Sequence, residues 1–278
     1  MLTLNLIGNN FLHTTGGNKG YSSHGKTFED IKWVTDWSAD CTFYVDENII
    51  TGMTDVVSEK KFAWLLESWY ITPDINDWVF DNLDAVLEEY DLIFTHRTDL
   101  VDRNPERVKW LPLCGYWIKD TYVRPNKTKL LSMIASSKSV TKGHKYRLEA
   151  VDTWGKDPRC DLYGRGWNEI EFKETGLEDY MFSISIENGD YPTILTEKIF
   201  DCFACGTIPI HWGAPIDSIS SLGFDPNGII LLDDNFDIGI LSKDLYESKR
   251  DAIYHNCELV KRYEINEALI YEELINIQ

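Results

Sequence analysis

Residues 181–213, MFSISIENGDYPTILTEKIFDCFACGTIPIHWG, constrain the fold of this chain more than any other stretch. Phe182–Ile186 is a short apolar run that reads as a buried strand. Glu187 and Asn188 stand at its carboxyl end, and a polar loop with Gly189, Asp190 and Pro192 follows. Thr196 can cap a helix over Glu197–Cys205, and Gly206 can end it. Ile208–Trp212 starts the next strand. Strand, loop, helix and strand in that order make one unit of an α/β sheet, and such sheets bind ligands at the carboxyl ends of their strands. Lys198 falls in the first helical turn, where the macrodipole disfavours a cation. A cation there suits an anion bound at the helix N-terminus, and it equally suits a solvated surface side chain.

The alternation extends along the chain. Strands are expected at Leu2–Ile7, Cys41–Val45, Phe62–Leu66, Leu92–Thr95 and Val108–Leu111, with helical spacing over Asp77–Glu88. Trp117–Asn126 contains a proline and reads as the crossing into a second lobe. There the expected order is strand Lys129–Ala135, helix His144–Trp154, strand Cys160–Tyr163, the unit described above, and strand Ile229–Leu232. A long amphipathic helix from about Asp244 is expected to close the chain. Strands alternating with helices in both halves predict two Rossmann-like α/β lobes, residues 1–120 and 121–278, facing a cleft, with the closing helix counted in the second and free to pack back on the first.

Charge narrows the partners. With 27 Lys/Arg against 46 Asp/Glu the net charge is −19, which disfavours nucleic acid and anionic membranes as partners. Lys119–Arg147 runs the other way, with eight basic residues and one acid, Asp120, and suggests either a small anionic ligand or an ordinary exposed segment. No stretch has the ~18 apolar residues of a membrane span, and MLTLNLIGNN lacks the charged and apolar regions of a signal peptide. The six cysteines are scattered in apolar contexts and read as reduced core residues of a cytoplasmic protein. Cys202 and Cys205 form a lone Cys-x-x-Cys in mid-helix, a weak signal for metal or redox chemistry.

One motif points elsewhere. Gly20–Thr27, GYSSHGKT, fits the phosphate-binding loop of P-loop NTPases letter for letter, and Ile229–Asp234 resembles the acidic strand that would hold magnesium. That mechanism needs the loop to leave directly from a buried strand, so that its amides converge on the phosphates. Here the expected strand ends near Ile7, and polar, glycine-rich residues intervene.

FSISIENG, TEKIFDCFACGTIPIHWGAP and, upstream, IASSKSVTKGHKYRLEAVDTW and CDLYGRGWN resemble, in this order, the donor-binding segments of the alpha-1,3-fucosyltransferases. The resemblance implies a short member of that family with the GT-B type of fold, its C-terminal lobe holding GDP-fucose. It puts Arg147 at the donor arginine and Glu187, Asn188, Tyr191, Glu197 and Lys198 in the donor-binding motif. In the first lobe FAWLLESW is similar to the stretch that carries the family's proposed general base, which falls on Glu67. Two departures stand out. The family's tyrosine three residues before the Thr-Glu-Lys glutamate is Ile194 here, with Tyr191 nearby but out of register. The membrane anchor of the animal enzymes is not expected here, since these residues hold no apolar span.

Sugar transfer needs a leaving diphosphate stabilised and an acceptor hydroxyl deprotonated. No Asp-x-Asp occurs in the chain, so the expectation is a clamp without metal or other cofactor: Arg147, Lys198 and the helix start at Thr196. Arg147 can grip two phosphate oxygens in a fork, which a lysine cannot. Glu197 and Asn188 could accept from or donate to the donor's hydroxyls, or serve the helix and the turn. Glu67, beside Leu66 and Trp69, is the candidate base for an inverting displacement, or an ordinary strand-end acid, with Glu187 or Asp46 as other acids that could take the role. The partners expected are a nucleotide-sugar donor and a carbohydrate acceptor. A sugar-nucleotide-binding protein without catalysis would keep Arg147 and Lys198 and not need Glu67.

Overall fold

The computed structural model describes residues 1–8 and 26–276. Two compact units divide the chain: Met1–Gly115 with Ile265–Gln278, and Tyr116–Glu264. Each is an α/β unit built on one parallel sheet.

The first unit contains β1 (Leu2–Ile7), β2 (Ile31–Val34), β3 (Cys41–Val45), α1 (Asn48–Gly52), β4 (Lys60–Leu65), α2 (Pro73–Asp81), α3 (Leu83–Glu89), β5 (Leu92–Thr95), α4 (Thr98–Arg103) and β6 (Val108–Trp110). Its strands run parallel in the order β2-β1-β3-β4-β5-β6. Alternate residues of each strand serve opposite faces. Phe43, Phe62, Trp64 and Phe94 pack into one core with Leu4, Leu6 and Trp33. Tyr44, Ala63, Leu65 and Ile93 pack into another with Ile75, Val79, Leu83 and Val86 of α2 and α3.

The second unit contains β7 (Lys129–Ile134), α5 (Lys142–Thr153), β8 (Cys160–Tyr163), β9 (Tyr180–Ile186), α6 (Glu197–Ala204), β10 (Ile208–Trp212), α7 (Ile216–Ser221), β11 (Ile230–Leu231), α8 (Lys243–Ser248) and α9 (Arg250–Val260). Its parallel order is β11-β10-β9-β7-β8. Every residue of β9 is buried, as a central strand covered on both faces should be. Gly206 ends the α6 turn at φ +61, a conformation that costs glycine nothing.

Two expectations about helices change, and one open choice is decided. The helix over Asp77–Glu88 is two helices, α2 and α3, separated at Asn82, whose side chain donates to Trp78 O and competes with the helical ladder. The long helix from Asp244 is α8, α9, a 3₁₀ turn at Lys261–Tyr263 and α10 (Asn266–Ile275). Of the two places open to the closing helix, α10 takes the one on the first unit: Ile270 and Leu274 pack beside Leu4 and Trp33, Trp33 Nε1 donates to Glu267 Oε1 at 3.3 Å, and Asn266 Nδ2 donates to Pro112 O at 2.8 Å.

The P-loop look-alike lies outside the described residues except for Lys26 and Thr27. Among the described residues no helix is long and apolar enough to cross a membrane.

Candidate functional site

In the second unit the chain leaves β7 first for β8 on one side, then for β9 on the other. The carboxyl ends of β7 and β9 therefore form a topological switch point, the place where open α/β sheets bind ligands. Two helices start there. Thr141 caps α5 reciprocally: its Oγ1 accepts from His144 N at 3.1 Å, and His144 Nδ1 accepts from Thr141 N at 3.2 Å. Thr196 caps α6 by accepting from Lys198 N. Gly143 brings α5 against the end of β9, donating from its N–H to Asn188 O at 3.0 Å; a Cβ there would lie 1.8 Å from Glu187 O.

Arg147 sits one turn into α5 and is 5% exposed. Its Nη2 donates to Ile186 O at 2.6 Å and reaches Asn188 Oδ1 at 3.4 Å. One edge of the guanidinium is thus anchored to the end of β9, while Nε and Nη1 have no partner among the described residues. Burial lowers its pKa below the usual arginine value, and Glu187 and Glu197 oppose that. The His144 ring is pushed down to about 4 by burial and by Arg147, Lys138 and Lys198. Three cations thus act on one ring at the switch point.

Glu187 faces inward. It is fully buried and accepts from Thr196 N at 3.1 Å and Thr196 Oγ1 at 2.7 Å. Burial raises its pKa, and Lys198, whose Nζ lies 3.5 Å from Glu187 Oε2, works against that rise. Glu187 is a brace between β9 and the start of α6 and not an open ligand contact; burial leaves it no surface to offer. Lys198 is correspondingly no lone cation: its Nζ donates to Thr196 Oγ1 at 3.1 Å and to Glu197 Oε1 at 3.2 Å. Glu197 also faces Lys173 at 3.5 Å, and Lys173 pairs with the buried Asp201 at 2.7 Å. Burial pushes Asp201 up to about 6, against the pull of Lys173.

Asn188 and Tyr191 are half-buried on the loop that follows β9, and Tyr191 O accepts from Ile194 N at 3.1 Å. Ile194 itself is fully buried, so the position carries core packing. The structure therefore brings Arg147, Glu187, Asn188, Glu197 and Lys198 to one edge of one sheet. Glu67 belongs to the first unit, half-buried just past the end of β4, with its N–H donating to Asp46 Oδ1 at 3.2 Å.

The basic segment Lys119–Arg147 is not a patch. Arg124 pairs with Asp179 and Glu178, Lys129 with Asp161, Lys142 with Asp190, and Lys127 is buried, donating to Leu177 O, Glu178 O and Thr207 Oγ1. Acids distant in sequence pair with three of its eight basic residues. Sequence reasoning passed over His144 and Lys173 and counted Lys138 only within the basic segment; the Thr-x-Gly-His run at the start of α5 is the signal that could have marked His144.

Residues 124–256 match the family model for the C-terminal domain of glycosyltransferase family 10, the fucosyltransferases. A curated relative, the alpha-(1,3)-fucosyltransferase FucT of Helicobacter pylori, is 35% identical over 97 residues, a stretch covering 33% of this chain and 20% of that protein's length. Among solved structures, an alpha1,3-fucosyltransferase aligns over 95% of this chain and 82% of its own at 15% identity and TM-score 0.49. Anabaena HepE, solved with UDP and glucose, aligns over 86% and 78% at 10% identity and TM-score 0.53, a likeness of fold. Residues 124–256, which hold the whole switch-point cluster, are thus similar to the C-terminal domain of the glycosyltransferase family 10 fucosyltransferases.

Proposed function

We propose that the chain is an inverting glycosyltransferase that moves fucose from GDP-fucose to a carbohydrate hydroxyl. The observation that carries this reading is the anchored Arg147: a buried guanidinium held at one edge by Ile186 O, beside two capped helix starts and Lys198, within a fucosyltransferase-family domain. Fixed cations and oriented amides stabilise a leaving diphosphate without reorganising as charge develops. Arg147 offers its remaining N–H donors to two phosphate oxygens, and Lys198 adds charge at the α6 start. Glu197, held between Lys173 and Lys198, faces the donor's hydroxyls, with Asn188 and Tyr191 on the adjoining loop. Glu67 accepts the acceptor's proton as the hydroxyl attacks the anomeric carbon and the bond to the diphosphate breaks.

A thermal-shift series against GDP, UDP, ADP and their sugars, run without added metal, tests the donor. GDP and GDP-fucose should raise the unfolding temperature most. A larger shift from UDP or ADP, or none from GDP, refutes the assignment.

A further inference from the structure

Asp46 lies at the carboxyl end of β3. In the first unit the chain steps from β1 to β2 on one side and then to β3 on the other, so the end of β3 borders that sheet's own switch point. The residue is costly as built. It is fully buried, and its backbone turns at φ +49, a left-handed conformation that aspartate visits more readily than most residues but less freely than glycine. A buried carboxylate also loses its hydration. Two backbone donors meet it: Asp46 Oδ1 accepts from Leu66 N at 2.9 Å and from Glu67 N at 3.2 Å. The left-handed turn makes this geometry possible. Asp46 N still donates to Trp64 O at 3.0 Å, continuing the ladder between β3 and β4, while its carbonyl accepts from Ile49 N at 2.9 Å as the chain turns into α1. One side chain therefore fixes the two residues at which β4 stops pairing, and the second of these is Glu67.

We propose that Asp46 is a positioning residue for the transfer reaction, holding the backbone of Leu66 and Glu67 so that the Glu67 carboxylate meets the acceptor hydroxyl. The inference rests on Glu67 being the base. Asp46 acts through Glu67 and touches no substrate itself. Strained, buried residues retained beside a reacting group commonly serve such pre-organisation.

The experiment is a double-mutant cycle, following GDP release from GDP-fucose with N-acetyllactosamine as the probe acceptor, or with water where that sugar is not taken. D46A removes the acceptor oxygen. D46G replaces it should D46A not fold, because glycine takes φ +49 without strain. D46N keeps an amide oxygen in place of Oδ1. A misplaced base costs on the order of 10²-fold, so D46A should lower kcat about 10- to 100-fold. The KM for GDP-fucose should stay within about twofold, and D46N should recover most of the rate. In the E67Q background the same D46A change should cost under about threefold, because coupled residues are not additive. Amide hydrogen exchange at Leu66 and Glu67 should speed up in D46A and stay slow in D46N. An equal loss from D46A with and without Glu67, or a parallel loss of GDP affinity, overturns the positioning role while leaving Glu67 as base. Wild-type rate in E67Q overturns both.

Discussion

Replacing Arg147 with alanine should weaken GDP binding without unfolding the site. The magnitude follows from what the guanidinium has already committed. Nη2 is held by Ile186 O at 2.6 Å, so the donor's share is the rest of the fork. A hydrogen bond to a charged group contributes about 1.5–3 kcal/mol. At ~1.4 kcal/mol per factor of ten, the Kd for GDP should rise about 10- to 150-fold. Lysine at this position keeps the charge but cannot hold Ile186 O and grip two oxygens at once, so R147K should fall between wild type and R147A. Isothermal titration with GDP measures both variants, and the unfolding temperature of the unliganded protein separates lost affinity from lost structure. R147A should also be less stable, because Ile186 O loses its partner and the buried Glu187 loses a neighbouring cation. If R147A and R147K both bind GDP within twofold of wild type, the anchored arginine is a structural brace and the donor reading fails at its main support.

The close approach of α5 to β9 leaves no room for a methyl group at Gly143, so G143A should lose about 1–3 kcal/mol in urea unfolding and bind GDP more weakly; unchanged stability refutes the contact. T196A removes both the α6 cap and a partner of Glu187, and should cost about 1–2 kcal/mol by the same measurement, most of it restored in T196S. Burial holds Asp46 up at about 7 against an ordinary 3.8, so the folded chain keeps a proton between those values that the unfolded chain has released. The unfolded state then binds fewer protons, and this group's contribution falls as pH rises through that window and levels off above it. D46N, which cannot titrate, should gain stability relative to wild type between pH 5 and pH 8 in urea unfolding; a constant difference refutes the shift.

Local signals carried much of the architecture. Leu2–Ile7, Cys41–Val45, Leu92–Thr95, Cys160–Tyr163 and Ile208–Trp212 are strands with the expected bounds, because each is a short stretch, apolar throughout or apolar in alternation, between polar or glycine-bearing breaks. β2 was missed: Ile31–Val34 is four residues long and alternates with a lysine, too little for periodicity to register. The helix ends at α2 and α9 depend on competing hydrogen bonds and on which unit receives the next residues, neither of which a spacing pattern records. At the site, the Thr196 cap and the place of Arg147 were legible as local chemistry. Where Glu187 points was not: a strand-end glutamate reads as available, and only the fold shows it turned under Thr196. Which basic residues of Lys119–Arg147 are already paired was hidden for the same reason, since Asp161, Asp179 and Asp190 are remote in sequence and adjacent in space.

The return of α10 to the first unit affects how this chain can be made. Residues 116–264 form an insertion within a unit whose remaining piece is translated after them. On the ribosome the second unit has all its residues while the first still lacks the helix that covers Trp33 and accepts from its indole. The partners Trp33 and Glu267 are 234 positions apart, and contacts of such separation form late because the loop must close before they contribute. The first-made half should therefore be finished last, and a nascent chain stopped near Glu264 should hold a protease-resistant second unit attached to a first unit that still binds hydrophobic dyes.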